Sequence, residues 1–471
     1  MNFVSWAFVA LFLFVFAARL TIGRRKTEPG FEAVLLLASL VFYAWHIPAY
    51  LGVLLTSASI DYVAALAIGR LGPERQGQRR AWLVASLVSN LGLLALFKYG
   101  SFAVQAAEES AQLLGVTLRL PDVALLLPMG ISFYTFQALS YTIDVYRREL
   151  TPVRNYPRYL LFISLFPQLV AGPIVRASEF LPQMPRPRRL HARVFYHGVW
   201  LVILGFFLKM VCADNLAAYV DEHWDRGTRA DADGSFALWA GVMFSGQIFA
   251  DFAGYSTIAQ GLGYLLGYRF PDNFNAPYIA ASFKNFWERW HITLSRWLRD
   301  HLYVPLGGNR GSRARTLINL LLVMLLGGLW HGAAYTFIIW GAIHGLCLVG
   351  ERLLGLHRPT PRPWLVSAAW FVVVQGAVLV AWVYFRSRTV SDANNFVGNL
   401  FFGDWHLPEI WMLQALGFLL PLVLLHAHTW LEERRLAPPL GATGRAALAA
   451  LMVYLIITLN GGTSEFIYFQ F

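Results

Sequence analysis

Long uninterrupted runs of apolar residues constrain this chain more than any other feature. Residues 4–20 read VSWAFVALFLFVFAARL, and residues 236–250 read FALWAGVMFSGQIFA. A helix needs about 20 predominantly apolar residues to cross a bilayer, and only helices or closed barrels satisfy the backbone hydrogen bonds within lipid. The runs are continuous, whereas the strands of a barrel alternate apolar and polar residues. The sequence therefore predicts an all-α, polytopic integral membrane protein.

Composition and charge are typical of a membrane protein and argue against a nucleic-acid partner. Charged residues make up 14% of the chain, against about 25% in a soluble globular protein. The formal net charge of +11 falls in short loops between apolar runs, as the positive-inside rule produces on its own. The expected partner is the lipid bilayer, with no nucleic acid. Cys212 and Cys347 lie in apolar runs, which argues against a disulfide framework or a metal site.

Basic clusters mark the loops expected in the cytoplasm, and they define a topology for the chain. They alternate with weakly basic or acidic loops, which gives about 11–13 transmembrane helices and places both termini on the non-cytoplasmic side of the membrane. Residues 157–175, with Pro167 and Pro173, are expected to form a re-entrant hairpin. No soluble domain is apparent, so residues 1–471 are interpreted as a single membrane-embedded domain. The predicted crossings are 3–21, 31–47, 49–69, 81–99, 123–143, 194–213, 236–267, 317–333, 334–351, 364–386, 411–427 and 447–461.

The segment KNFWERWHITLSRWLRDHLYVPLGGNR, Lys284–Arg310, is too apolar for an ordinary loop and too polar for a crossing. At helical spacing Arg289, Thr293 and Arg296 share one face, while Trp290 and Trp297 share another. The pattern predicts an amphipathic helix in the membrane interface. His291 lies within this segment.

Polar groups at membrane depth are costly, so they are candidates for function. His331 stands in LLGGLWHGAAYTFIIWGAIHG, where small residues allow helices to approach closely. The alternative is a core histidine bonded to a neighbouring carbonyl. Asp251 and Gln137 interrupt two other apolar runs, and polar contacts between helices explain them equally well. His344 is expected to be buried, without a companion motif.

The motifs that are absent limit the chemistry. The chain has no H-E-x-x-H, P-loop or G-x-S-x-G pattern. Histidine chemistry remains, because a neutral imidazole with an ordinary pKa of about 6.5 removes protons from hydroxyl groups.

FWERWHITLSRWLRDHLYVPLGGNR, followed by LLGGLWHGAAYTFIIWGAIHG, resembles the signature of the membrane-bound O-acyltransferase family, and in particular its branch of bacterial alginate O-acetylation proteins. Four further stretches are similar to that branch in the same order: LPMGISFYTFQALSYTIDVYR, FPQLVAGPIVR, DFAGYSTIAQGLGYLLGYRFPDNFNAPY and the C-terminal FIYFQF. The resemblance covers nearly the whole chain. It implies helices around a central tunnel that crosses the membrane of the bacterial cell.

The resemblance also implies roles for individual residues. His331 corresponds to the catalytic histidine, expected to act as a base on the acceptor hydroxyl, and His291 to the second, paired position. An acyl thioester such as acetyl-CoA is expected as donor substrate from the cytoplasm, with no bound cofactor and no metal. Residues expected to line the tunnel or the substrates are Trp287, Trp290, Trp330, Asp251 and Gln137.

The implied function is transfer of an acyl group, expected to be acetyl, across the inner membrane to an exported polysaccharide such as alginate, through a periplasmic esterase-like partner. Alternatives are D-alanyl transfer to a cell-wall polymer, a transporter or flippase without chemistry, and a scaffold for a periplasmic enzyme.

The C-terminal Phe466, Tyr468 and Phe471 fit a Phe-x-Tyr-x-x-Phe pattern of a sister branch, which makes Tyr468 a candidate acyl relay. An interfacial aromatic anchor is the alternative.

Overall fold

The computed structural model describes residues 3–22, 29–121, 125–169, 172–185, 187–358, 363–406, 409–437, 440–462 and 466–467. Within these ranges the regular structure is helical and no strand occurs, which confirms the all-α prediction. The α-helices are α1 Trp6–Thr21, α2 Pro29–Ala44, α3 Tyr50–Arg70, α4 Gln76–Leu94, α5 Gly100–Leu113, α6 Ile131–Arg147, α7 Tyr156–Ser164, α8 Phe166–Leu169, α9 Ala177–Phe180, α10 Ala192–Phe206, α11 Asp214–Gly227, α12 Gly234–Leu266, α13 Phe283–Arg289, α14 Ile292–Leu298, α15 Arg313–His331, α16 Tyr335–Leu353, α17 Trp364–Arg386, α18 Val390–Phe402, α19 Ile410–Glu433 and α20 Ala442–Thr458.

Helix length and hydropathy support the membrane assignment. In the described ranges, eight helical stretches are long and apolar enough to cross a bilayer: Tyr50–Arg70, Pro73–Leu113, Ala192–Gly227, Gly234–Leu266, Arg313–His331, Tyr335–Leu353, Trp364–Arg386 and Ile410–Glu433. Three further apolar helices are shorter: Trp6–Thr21, Gly30–Ala44 and Ala442–Thr458. The chain is therefore a multi-pass membrane protein.

One predicted crossing starts later than expected. The crossing expected at 123–143 begins as a helix only at Ile131, because Gly130 adopts a left-handed conformation (φ 72°) directly before α6. Hydropathy does not detect this conformation.

The segment 157–175, where a re-entrant hairpin is expected, contains two short helices, α7 and α8. They are separated at Leu165, whose ψ of 114° breaks the helical hydrogen bonding. The re-entrant path stays a prediction.

The described residues form two compact units. The first comprises Met1–Val199 and Ala259–Pro271, and the second comprises Trp200–Ile258 and Asp272–Phe471. Both histidines of the predicted active site lie in the second unit.

In the first unit, a buried polar cluster joins α3 to α4. Asp61 is fully buried and accepts hydrogen bonds from Ser86 Oγ at 2.5 Å and from Asn90 Nδ2 at 2.8 Å. Ser57 in turn donates to Asn90 Oδ1 at 2.8 Å. Hydrogen bonds between helices satisfy polar groups that lipid cannot, so this cluster fixes the register of the two helices.

Candidate active site

The polar segment around His291 is two short helices with a break between them. α13 ends at Arg289 and α14 begins at Ile292, and His291 itself has a positive φ of 42°. The prediction of one continuous amphipathic helix is therefore wrong at this point. The break is stabilised by a loop from elsewhere in the chain, because Asn273 O accepts from Ile292 N at 2.9 Å and Asn275 N donates to Arg289 O at 2.9 Å. These bonds replace helical ones and turn the imidazole inward.

Asn273 also determines which ring nitrogen of His291 carries the proton. Its Oδ1 accepts from Thr293 Oγ1 at 2.9 Å and from Thr293 N at 3.3 Å, so the amide oxygen, not the NH₂ group, faces this site. The same oxygen lies 3.0 Å from His291 Nδ1, which must then be the donor. This leaves Nε2 as the nitrogen with the lone pair.

Burial keeps His291 neutral. The residue is 0% exposed, and desolvation of the charged form lowers the pKa of its imidazole to about 3. At neutral pH the ring is an uncharged hydrogen-bonding group in a fixed tautomer. It can orient or stabilise a reacting group through Nε2 without changing its own charge.

His331 is the last residue of α15, where that helix approaches α16 closely. A Cβ on Gly328 would lie 2.3 Å from the carbonyl oxygen of Phe337, and one on Gly341 would lie 2.4 Å from that of Met324. Only glycine permits this separation. Close approach buries His331, which is 4% exposed, among rings from three helices: Trp340 at 4.9 Å and Phe385 at 5.4 Å between centroids, besides its neighbour Trp330.

Trp330 lies against both histidines. Its ring centroid is 4.8 Å from that of His331 and 6.1 Å from that of His291. Two histidines 40 positions apart in the chain thus lie near the same indole ring. Two imidazoles beside a buried aromatic wall form an arrangement suited to proton transfer in a dry site.

A glutamate holds the helix before His291 in position. Glu351 on α16 is 1% exposed and accepts from the backbone N–H groups of Phe283 and Lys284, each at 3.0 Å. A carboxylate at a helix N-terminus satisfies donors that the helix cannot. α13 is thereby fixed to the same helix that packs against His331.

Comparison with known proteins identifies the family of this chain. The model of the membrane-bound O-acyltransferase family matches residues 4–387. The chain is 40% identical over 417 residues to the probable alginate O-acetylase AlgI of Pseudomonas aeruginosa, a match that covers 87% of this chain and 77% of that protein. This chain belongs to the membrane-bound O-acyltransferase family.

Two further relatives show the range of the family. The chain is 37% identical over 392 residues to the peptidoglycan O-acetyltransferase of Helicobacter pylori, which covers 76% of this chain and 71% of that protein. It is 28% identical over 266 residues to the teichoic acid D-alanyltransferase of Bacillus subtilis, which covers 55% of this chain and 67% of that protein. As a membrane-bound O-acyltransferase, this protein is an enzyme that transfers acyl groups, as the sequence predicted.

The acyltransferase has a third buried imidazole near the pair, at His344, which the sequence did not assign to the site. His344 is 1% exposed, and its centroid lies 4.8 Å from that of Trp340, the same ring that contacts His331. His344 Nε2 has no hydrogen-bond partner among the described residues. His344 follows Trp340 by four residues on α16, so the two side chains share one helix face. This spacing is the sequence signal that could have identified His344.

Two predicted lining tryptophans belong to the same aromatic cluster. Trp287 lies 5.8 Å from Trp340 and 5.0 Å from His344 between centroids. Trp290 is 0% exposed and lies 4.7 Å from Trp382. The structure thus brings Trp287, Trp290 and Trp330 together around the histidines.

Asp251 lies in a buried ion cluster on α12. Lys209 Nζ is 2.7 Å from both Asp214 Oδ1 and Asp251 Oδ1, and all three side chains are 4% exposed or less. The second oxygen of Asp251 accepts from Ile467 N at 2.7 Å. The carboxylate therefore ties the C-terminal segment to the second unit.

The C-terminal aromatic motif begins one ring away from His291. Phe466 is 1% exposed and packs on Tyr255 at 4.4 Å and on Phe252 at 5.7 Å between centroids. Phe252 in turn lies 4.7 Å from His291. Tyr468 and Phe471 lie outside the described residues.

Gln137 lies in the first unit, on α6, with 2% of its surface exposed. Its carbonyl oxygen Oε1 has no hydrogen-bond partner among the described residues. A role as a lining residue stays a prediction.

Proposed function

We propose that this acyltransferase moves an acetyl group from a cytoplasmic thioester, acetyl-CoA, across the inner membrane for O-acetylation of an exported polysaccharide such as alginate. The observation that carries the proposal is the pair His291 and His331, both of which lie near the ring of Trp330, in a chain 40% identical to a probable alginate O-acetylase. A periplasmic esterase-like partner receives the acyl group, and both termini of the chain face the periplasm.

The proposed chemistry assigns one step to each histidine. His331 removes the proton of the acceptor hydroxyl while the oxygen of that hydroxyl forms a bond to the carbonyl carbon of the thioester. The carbon–sulfur bond then breaks, and the imidazolium returns the proton to the leaving thiolate. His291, neutral with Nε2 as lone-pair nitrogen, orients the groups around this centre. The buried rings exclude water, which would otherwise hydrolyse the thioester.

Exposed basic side chains support entry of the donor from the cytoplasmic side of the membrane. They follow His291 in the chain, up to the first turn of α15: Arg296, Arg299, Arg310, Arg313 and Arg315. A positive surface attracts a donor that carries phosphates, as acetyl-CoA does. The positive-inside rule places the same side chains in the cytoplasm.

Labelled donor tests the proposal against its rivals. Inverted membrane vesicles containing the protein are incubated with acetyl-CoA labelled in the acetyl group, and label on protein, partner or polymer is measured. We expect label transfer that vesicles without the protein lack. A transporter or scaffold transfers none, and a D-alanyltransferase transfers label only from a D-alanyl thioester; either result refutes acetyl transfer.

Replacing His291 with alanine is expected to reduce acetylation by about 10-fold to 100-fold, because misplacing the reacting groups costs rate without removing the base. Since the pKa of His291 is lowered to about 3, its ring does not titrate near neutrality. The variant should therefore keep the wild-type shape of the pH–rate profile from about pH 5 to pH 8. Initial rates across this range measure both effects. A changed acidic limb would contradict a neutral His291.

Tyr468→Phe tests an acyl relay at the C-terminus. The substitution keeps the ring but removes the hydroxyl that a relay needs to accept the acyl group, so cleavage of the donor thioester and acetylation of the polymer are both expected to fall to background. Tyr454→Phe, at an exposed tyrosine on α20, is the matched control and should behave as wild type. Polymer acetylation at the wild-type rate in Tyr468→Phe would assign Tyr468 to anchoring alone.

A further inference from the structure

A cavity of about 550 Å³ lies in the second unit, between α12, α17 and α19. Its lining is mostly apolar, and its polar members include Ser245, Tyr278, Gln375 and His426. Small-molecule sites typically occupy about 300–1,000 Å³ and are mostly apolar with a few placed polar groups. None of the histidines or tryptophans of the candidate active site lines this cavity.

His426 supplies a buried hydrogen-bond acceptor to this wall. Its Nδ1 lies 2.8 Å from the carbonyl oxygen of Leu422, so Nδ1 carries the proton and Nε2 holds the lone pair. The residue is 6% exposed, and Nε2 has no hydrogen-bond partner among the described residues. A buried acceptor without a hydrogen bond destabilises the folded protein, and a hydrogen-bond donor on a bound ligand would remove this cost.

Three other polar side chains of the wall, Tyr278, Ser245 and Gln375, donate hydrogen bonds to backbone carbonyl groups of the protein. Tyr278 donates to Ser245 O at 2.5 Å, and Ser245 Oγ donates to Gly241 O at 2.8 Å. Gln375 Nε2 donates to Ala280 O at 2.9 Å, which leaves its Oε1 as an acceptor. These groups therefore offer oxygen and nitrogen lone pairs to an occupant.

Among the described residues, those that line the cavity include no aspartate, glutamate, lysine or arginine. The charged groups beside the wall are engaged elsewhere, because Arg289 pairs with Glu433 at 2.8 Å and Arg434 lies over the ring of Trp430 at 3.8 Å. A charged headgroup inside the wall would therefore be buried without a free counter-ion, which is costly. An uncharged chain with one hydrogen-bond donor fits both the apolar surface and the acceptors. Three helices that are candidate membrane spans form the wall, so such a molecule can arrive from the bilayer.

We propose that this cavity binds a neutral lipid with a free hydroxyl group, whose chain lies against α17 and α19 and whose hydroxyl donates to His426 Nε2, with Gln375 Oε1 as a second acceptor. Tyr278 stands between this site and the aromatic cluster, since its ring contacts His426 at 5.4 Å and Trp290 at 6.4 Å. The site does not depend on the acetyl-transfer proposal, because it is defined by binding alone.

Two probes with the same chain test the hydroxyl requirement. 1-Hexadecanol and its methyl ether compete with a diazirine-bearing hexadecanol for photo-crosslinking to the full-length protein in lipid nanodiscs. Because one buried hydrogen bond separates the probes, we expect the alcohol to compete about tenfold better than the ether. Crosslinks should map to peptides of α12, α17 and α19.

Variants distinguish specific binding in the cavity from non-specific contact of lipid with the protein surface. His426→Phe and Gln375→Leu each remove one acceptor and should each weaken the preference for the alcohol, with His426→Phe reducing it to less than about twofold. His428→Phe, at a half-exposed histidine on the same helix, should leave it unchanged. Equal competition by alcohol and ether on the wild-type protein, which needs no variant to fold, overturns the proposal. Crosslinks spread evenly over the apolar surface overturn it as well.

Discussion

His331→Ala is expected to reduce acetyl transfer by about 10²-fold to 10⁴-fold, the usual contribution of a general base. The imidazole lies at the end of α15, packed between Trp330 and Trp340, and in the proposed mechanism it is the group that takes the hydroxyl proton. Alanine removes the base and leaves the glycine contacts between α15 and α16 in place. Initial rates of label transfer from acetyl-CoA in membrane vesicles measure the effect.

A matched histidine serves as the control for this experiment. His301 stacks on Trp297 at 4.9 Å and is only partly buried, so His301→Ala should transfer label at nearly the wild-type rate. Detergent-solubilised His331→Ala should elute from size-exclusion chromatography as wild type does, which shows that the fold persists. Near-wild-type transfer by a well-folded His331→Ala protein would remove His331 from the mechanism.

Lys209→Met is expected to destabilise the fold by about 3–5 kcal/mol, the usual effect of removing one partner from a buried ion pair. Lys209 Nζ lies 2.7 Å from a carboxylate oxygen of both Asp214 and Asp251, and methionine fills similar space without charge. Two buried carboxylates then remain without their cation. Thermal unfolding followed by size-exclusion chromatography should show a much lower midpoint and poor recovery of folded protein.

An exposed pair provides the comparison for Lys209. Lys284 lies 3.5 Å from Glu288, and both side chains are more than half exposed, so Lys284→Met should change stability by less than about 1 kcal/mol. Adding Asp214→Asn and Asp251→Asn to Lys209→Met should recover part of the loss, because the uncompensated charges are gone. An unfolding midpoint equal to that of the wild type in Lys209→Met would show that the cluster does not stabilise the fold.

The Lys209 cluster bears on function through the C-terminus. Because Asp251 accepts from the backbone N–H of Ile467, the cluster stabilises the position of Phe466 beside Phe252 and hence near His291. Loss of this anchor is expected to disturb the segment that leads to Tyr468.

The sequence by itself determined the class of the protein. Runs of apolar residues long enough to cross a bilayer leave only helices as stable elements, because lipid offers the backbone no hydrogen-bond partners. Hydropathy also placed most of the crossings, although it did not detect Gly130, where a left-handed turn starts α6 at Ile131. His291 and His331 were identified because a polar side chain in an apolar or glycine-rich segment stands out without any structure.

Only the tertiary structure decided how these residues meet. The break at His291 depends on Asn273, which is distant in the sequence and forms its hydrogen bonds only after the loop folds back. His344 gained neighbours from α13, and Asp251 gained Lys209 and Ile467 from either side of it in the chain. Local periodicity cannot encode such contacts, because they join residues whose separation in sequence is unrelated to their separation in space.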